Sequence, residues 1–302
     1  MKAVVFGGSG FVGSHVADAL VEAGYETTVA DIAESVYLKS PQRFEEVDIR
    51  DPEAVSAVVA GHDVVYNFAG LADIDESRTR AGDTVTLNVL GNVNLLDAAR
   101  TAGVRRFVFA STIYVYSEAG SFYRASKQAS ELYVEEYRRE YGVPYTILRY
   151  GTLYGRRANE KNAVYAYLKQ ALEERRIVAY GDPDQVREYI HVEDAARLSV
   201  EILADEFADE QVILTGEPRM RLRDLLALIQ EIVGKDVDVE IRPLDSGDQD
   251  VVAAGHYSMT PYVFRPKLAR KLAHRRMIDI GQGLLDSLQE IHEQSVTFEL
   301  PA

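Results

Sequence analysis

The feature that most constrains this chain is a regular change of hydrophobic period along its first half. "KAVVF" (2–6) is a short apolar run that stops at glycine, as a buried strand does. "FVGSHVADALVEAG" (11–24) spaces its apolar residues at helical intervals and closes on Gly24, as a helix does. The patterns then alternate. Strands are expected at 26–31, 43–48, 63–70, 104–111 and 143–151, and helices at 52–61, 84–102 and 123–142. Alternation of this kind implies parallel strands with crossover helices on both faces, an α/β Rossmann doubly wound parallel sheet. The second half alternates less regularly, with helices expected at 161–174, 192–207, 221–233, 265–273 and from about 281. It reads as a smaller C-terminal α/β substrate lobe over the carboxyl ends of the strands, where open α/β sheets bind ligands. The expected division is 1–155 for the sheet domain, with a returning segment at about 186–214, and 156–302 mainly for the lobe.

The first strand runs into "VVFGGSGFVG", with glycines at 7, 10 and 13. Glycine allows a sharp turn and close approach of a pyrophosphate, and the free N–H groups of the helix that follows favour an anion. Asp31 ends the second strand, about 20 residues on, where an acid accepts hydrogen bonds from adenosine ribose hydroxyls and repels a 2′-phosphate. The pattern therefore favours NAD over NADP.

Composition narrows the classes. The chain carries 48 acidic against 33 basic residues, net −15, which disfavours a nucleic-acid-binding surface. No apolar run reaches the roughly 20 residues of a membrane helix. "MKAVVFGGSG" is no signal peptide, and the absence of cysteine excludes disulfides and thiolate chemistry. Together these suggest a cytoplasmic protein; no metal site is expected. Of the 33 cations only 8 are lysine, which fits either a high-salt habitat or the bias of a GC-rich genome.

In "STIYVYSEAGSFYRASKQASEL" (111–132), Tyr123 and Lys127 stand one helical turn apart and so share a face. A phenol with pKa near 10 is a poor base at neutral pH. A neighbouring ammonium and an oxidised nicotinamide would both favour phenolate, making Tyr123 a general acid/base for a hydroxyl–carbonyl pair.

The chain resembles the extended short-chain dehydrogenases/reductases, in particular the NAD-dependent nucleotide-sugar epimerases and dehydratases of the UDP-glucose 4-epimerase kind. The resemblance is carried over nearly the whole chain by "GGSGFVG", "VDIRD" (47–51), "NFAG" (67–70), "NVLGNVNLLDAA" (88–99), "STIYVY", "YRASK" (123–127), "LRYGTLYG" (148–155) and "REYIHVEDAA" (187–196). It implies a cofactor groove from Gly7, Gly10, Phe11, Val12, Gly13, Asp31 and Ile32. Asp48 and Ile49 would flank the adenine, Phe68, Ala69 and Gly70 would line the groove, and Asn88 matches a family asparagine. Lys127 would hold the nicotinamide ribose and Tyr150 would touch the nicotinamide end. Thr112 occupies the family's Ser/Thr position beside the reacting oxygen. Thr152 and Arg187 would contact substrate, Arg187 at a phosphate. Related enzymes pair through the helix of Tyr123 and the one before it, so a homodimer is implied.

For the reaction, Ile113 and Tyr114 follow Thr112 where the family's dehydratases carry acids and its decarboxylating members a Glu, and Asp31 opposes the NADPH of a reductase. What the resemblance leaves is an epimerase acting on a nucleotide-diphosphate sugar, most often at C4. An NAD-dependent dehydrogenase of a nucleotide sugar or other secondary alcohol would use the same residues, and a non-catalytic NAD-binding protein the same fold. The segment before Tyr123 is shorter than usual, so the pocket is expected to be more open or the substrate different. Thr152 stands for a usual asparagine, and "RPLDSGDQD" lacks an arginine often found there. Arg156 and Arg157 are candidates for phosphate contact or solvated charges. His191 and His256 read as structural, and Tyr133, Tyr137 and Tyr141 as packing or dimer-contact residues.

Overall fold

The computed structural model describes residues 1–117, 119–217, 219–243, 270–272 and 277–298. The first half runs β1 (Lys2–Phe6), α1 (Phe11–Glu22), β2 (Glu26–Asp31), β3 (Arg43–Glu46), α2 (Pro52–Val59), β4 (Val64–Asn67), α3 (Ile74–Thr79) and α4 (Ala81–Thr84). After a π-helical segment (Val85–Leu90) come α5 (Gly91–Ala102), β5 (Arg106–Thr112), α6 (Ser121–Tyr141) and β6 (Tyr145–Tyr150). The second half holds β7 (Thr152–Tyr154), α7 (Ala163–Glu173), β8 (Arg176–Tyr180), β9 (Val186–His191), α8 (Val192–Glu201) and β10 (Glu210–Leu214). It continues with β11 (Arg219–Arg221), α9 (Leu222–Val233), β12 (Asp238–Arg242), β13 (Arg270–Lys271) and α10 (Ile280–Phe298).

Local chemistry explains several boundaries. Asp51 caps α2 by accepting from the N–H groups of Glu53 and Ala54 at 3.0 and 3.1 Å, and Pro52 supplies a first-turn position that needs no N–H. Gly103 and Gly142 end α5 and α6 in the left-handed conformation. The strand expected at 63–70 is confined to Val64–Asn67, because Phe68–Gly70 leave the sheet. The helix expected at 84–102 is interrupted by the π-helical turn, where Asn88 is drawn to partners outside its own helix. The helix expected at 192–207 stops at Glu201 and yields to a 3₁₀ turn at Asp205–Phe207. Of the helix expected at 265–273, residues 265–269 and 273 lie outside the described residues, and Arg270–Lys271 form a strand. His256 and residues 244–250 of "RPLDSGDQD" also lie outside them.

Eight parallel strands build the main sheet, in the order β13-β10-β6-β5-β4-β1-β2-β3. Successive side chains on a strand face opposite ways, and here both faces are covered. Ala3, Val5, Tyr66, Val108 and Leu148 meet Val16, Leu20, Leu198 and Ile202 of α1, α8 and the residue after it. Val4, Phe6, Val65, Phe107 and Ile147 meet Val55, Leu95, Leu96 and Val134 of α2, α5 and α6. The second half builds its own core from Leu168, Ile177, Leu225, Ile229 and Leu284, beside a β11-β9-β7 sheet and a β12-β8 pair. β10 nevertheless pairs with β6 in the main sheet.

β1 pairs with β2 on one side and β4 on the other, so the strand order reverses there and a crevice opens between the two connections. Its walls depend on the helices behind the sheet. Leu95→Ala, at a fully buried site, should cost about 2–5 kcal/mol. The urea midpoint should fall with the slope of the transition unchanged.

Candidate active site

The glycine turn follows β1 at the crevice. Gly7 has φ +75°, and a Cβ there would stand 2.5 Å from the Ala69 nitrogen. A Cβ at Gly13 would stand 2.2 Å from the Gly7 carbonyl oxygen. Backbone thus approaches backbone where no side chain fits. Gly10 begins α1 with no side-chain cap, which leaves first-turn N–H groups for an anion, and half-buried Phe11 and Val12 follow.

Asp31, at the end of β2, accepts the N–H of Ser9 at 3.0 Å and that of Ile32 at 2.8 Å, which aims its carboxylate beside the glycine turn. Ile32 itself is exposed. A cleft of about 370 Å³ runs from Gly7 and Gly10 past Asp31 to Asp48 and Ile49, with Phe68, Ala69 and Gly70 on its other wall. Ile49 is buried, and Gly91 makes room for it: a Cβ at 91 would meet its Cδ1 at 2.5 Å. Asp48 pairs with Arg50 at 2.5 Å, which holds its carboxyl below the usual range. These residues fit NAD: free amides for the pyrophosphate, a carboxylate for ribose hydroxyls and an apolar slot for the adenine.

The residues expected to react lie where β5 meets α6. Thr112 ends β5, is buried, and its hydroxyl is hydrogen-bonded to the half-buried Tyr123 phenol. Lys127 is buried one turn along α6; its Nζ donates to the Ala110 carbonyl at 2.7 Å and lies 5.8 Å from the Tyr123 ring centroid. Burial pushes the phenol up to about 12, and the Thr112 hydrogen bond opposes this without overcoming it. Burial likewise draws the Lys127 ammonium down to about 8, against the pull of Glu131. The lowered phenol pKa expected from Lys127 is therefore corrected. In the protein alone desolvation wins.

Asn88 lies in the π-helical turn, 3% exposed, with its amide committed. Oδ1 accepts from Leu71 N–H at 2.7 Å, and Nδ2 donates to Leu71 O and Ser126 Oγ at 3.0 and 2.9 Å. It ties the groove wall at 70–71 to α6. Tyr150 lies opposite Thr112 in the sheet register, but its hydroxyl is held by Ser199 at 2.6 Å in the core. Thr152 pairs with Tyr189, and Arg187 is two residues before Tyr189, so both project from one face of the β11-β9-β7 sheet. Arg187 donates to Gln185 at 3.1 Å.

Arg157 is held by neighbours inside the protein, while Arg156 is about half exposed. Arg157 donates to Asp18 at 2.7 Å and lies 4.7 Å over the Tyr37 ring, and Arg156 lies 3.9 Å from Glu290. His191 is buried, with Nδ1 accepting from Glu193 N–H at the start of α8. Tyr137 packs against Tyr141 at 5.2 Å between centroids. Residue-by-residue reading missed Ser9, Arg50 and the buried group formed by Ser111, Glu131 and Arg149. Glu131 had a signal, two turns past Tyr123 on the same face; Arg149 had none, since only folding brings β6 to α6.

A crevice at a strand-order reversal, with a glycine turn and an acid after β2, defines a dinucleotide-binding α/β protein. The description of the NAD dependent epimerase/dehydratase family matches residues 3–214, and the chain belongs to that family. It is 32% identical over 269 residues to the low-salt glycan biosynthesis protein Agl12 of Haloferax volcanii, covering 80% of this chain and 85% of that one. It is 32% identical over an alignment 326 positions long to a dTDP-glucose 4,6-dehydratase of Streptomyces antibioticus, covering 99% and 95%. The structure of a UDP-glucose 4-epimerase of Thermotoga maritima, solved with UDP-glucose, superposes with a TM-score of 0.82 at 25% identity, covering 98% and 100%.

Gly13→Ala would drive its methyl into the Gly7 carbonyl and displace the turn. NAD affinity, measured by calorimetry, should fall at least about tenfold, equivalent to about 1.4 kcal/mol.

Proposed function

We propose that the protein is an NAD-dependent epimerase of a nucleotide-diphosphate sugar, acting at C4, with Tyr123 as acid/base. The observation that carries this is the hydrogen-bonded Thr112–Tyr123 pair, with Lys127 one turn away on the same helix face, at the carboxyl edge of the sheet that bears the NAD groove. Held by these groove residues, NAD would supply a reversible hydride acceptor, and its oxidised ring would add positive charge that favours a phenolate.

The chain's residues do the rest. Tyr123 Oη takes the sugar hydroxyl proton and later returns it. The Thr112 hydroxyl hydrogen-bonds the reacting oxygen and holds it at the phenol. Lys127, charged below about pH 8, orients the nicotinamide ribose and steadies the phenolate. The glycine turn takes the pyrophosphate of NAD, Asp31 the adenosine ribose, and Thr152 and Arg187 the sugar nucleotide, Arg187 at a phosphate. Inversion would require the keto sugar to present its opposite face in the pocket.

The 32% identity to a dehydratase gives water elimination a claim as well. Elimination needs a general acid at the leaving hydroxyl. Ile113, which follows Thr112, is buried and apolar, and Tyr114 is no carboxylate, so the epimerase is preferred. The purified protein, offered a panel of nucleotide sugars, should give a C4 epimer by proton NMR, with NAD retained and no net NADH. A dehydrated product, or steadily accumulating NADH, would overturn this. Tyr123→Phe should keep NAD and lose turnover by about 10²-fold or more; undiminished turnover refutes the role given to Tyr123.

A homodimer through α6 and the helical segment before α5 belongs to the same proposal. Val85 and Leu90 of the π-helical turn and Leu132 and Tyr133 of α6 are 46–57% exposed, an apolar surface that pairing would cover. Sedimentation velocity should give a dimer for the native chain and a monomer for Leu132→Asp; a native monomer at micromolar concentration removes this part.

A further inference from the structure

One face of α6 is laced to three consecutive residues of β5. Lys127 Nζ donates to the Ala110 carbonyl at 2.7 Å, Ser111 Oγ donates to Glu131 Oε1 at 2.5 Å, and the Thr112 hydroxyl bonds the Tyr123 phenol. Tyr123, Lys127 and Glu131 recur every turn, so the helix meets the strand rung by rung. Glu131 is gripped in turn by Arg149 of β6, whose Nε and Nη2 donate to its two oxygens at 2.9 and 2.6 Å. Arg149 also donates to the Tyr116 hydroxyl at 2.5 Å and Gln211 Oε1 at 2.7 Å, which engages four of its five N–H groups. The side chains of Arg149 and Glu131 are only 4% and 9% exposed. A pair buried to this depth is costly to desolvate, and apolar residues of like volume commonly serve stability as well. Stability alone therefore gives little reason for it beside the reacting groups.

We propose that Glu131, held by Arg149 and Ser111, is a positioning residue that sets α6 against β5 and keeps the Lys127 ammonium charged inside the protein. The proposal rests on the reading of Tyr123 and Lys127 as the reacting pair and adds what maintains it. Within α6, Lys127 faces Tyr123 and Glu131. β5 presents the Phe109 ring at 4.8 Å and the Ala110 carbonyl, neither of which titrates. β6 presents Arg149, already joined to Glu131, and the 113–116 turn presents Tyr116, already bonded to Arg149. The π-helical turn meets α6 through the neutral Asn88 amide. α5 meets it with Asp97, engaged by Tyr137. The carboxylates Asp75, Glu76 and Asp83 of α3 and α4 pair with Arg78 and Arg80. Glu131 is thus the anion that opposes the effect of burial on Lys127. Removing its charge leaves burial unopposed and frees a buried guanidinium cation, and both favour loss of the Lys127 proton.

The test is a titration of Lys127 in the NAD-loaded full chain, by NMR of ¹³Cε-labelled lysine. The chain has 8 lysines, and Lys127→Arg assigns the signal. Glu131→Gln should move the Lys127 titration down by about one pH unit or more. The alkaline limb of turnover should shift with it. Should the lone guanidinium prevent folding, Glu131→Gln with Arg149→Met removes both charges, and Lys127 should still titrate below the native value, by less. A merely structural Glu131 would lower the urea midpoint and leave the titration where it was. A folded variant whose Lys127 titrates with the native protein overturns the proposal. The titration needs no substrate, so a native protein that turns over no nucleotide sugar would sink the epimerase reading and leave this result standing.

Discussion

The structure depends on a place where two backbones come closer than side chains allow. After β1 and β4 the chain leaves the sheet in two connections, and Gly7 of one lies against Phe68 and Ala69 of the other. The strand order reverses there, so among the described residues a gap stays open above the strand ends, and the first-turn amides of α1 face it. A parallel sheet covered on both faces has few openings of this kind. The groove follows from the topology, and the glycines keep it narrow enough for backbone to act as ligand.

Beside the groove the protein keeps several charges out of water. Lys127, Glu131 and Arg149 are all buried, and each has a stated partner. Burial works against the charged forms of Tyr123 and Lys127, raising the phenol and lowering the ammonium. Tyr123 is thus kept neutral until a further positive charge arrives, and Lys127 is held near the edge of its charged range. A further positive charge in the groove would offset the effect of burial on the phenol.

Much of the fold was legible because its periods are strong. β1, α1, β2, α6 and β6 fall close to their expected places, since each buries a face whose spacing shows in the residues. The departures cluster at the groove. β4 ends early so that 68–70 can line it, and the helix at 84–102 takes a π-helical turn that turns the Asn88 amide to Leu71 and Ser126. Those changes answer to contacts far away in sequence, to which local pattern is blind. Arg156 and Arg157 were ambiguous for the same reason, as their acids come from α1 and α10.

The sequence by itself determined the class of fold and the dinucleotide, and it set a phenol and an ammonium on one helix face. Each of these is written in short-range terms: a glycine spacing, an acid at a strand end, a phenol and an ammonium one turn apart. Only the tertiary structure decided the electrostatic state of that pair and the identity of its supports. The pKa of a phenol depends on which atoms surround it, and Ala110, Ser111 and Arg149 reach α6 only after β5 and β6 have been laid beside one another in the sheet.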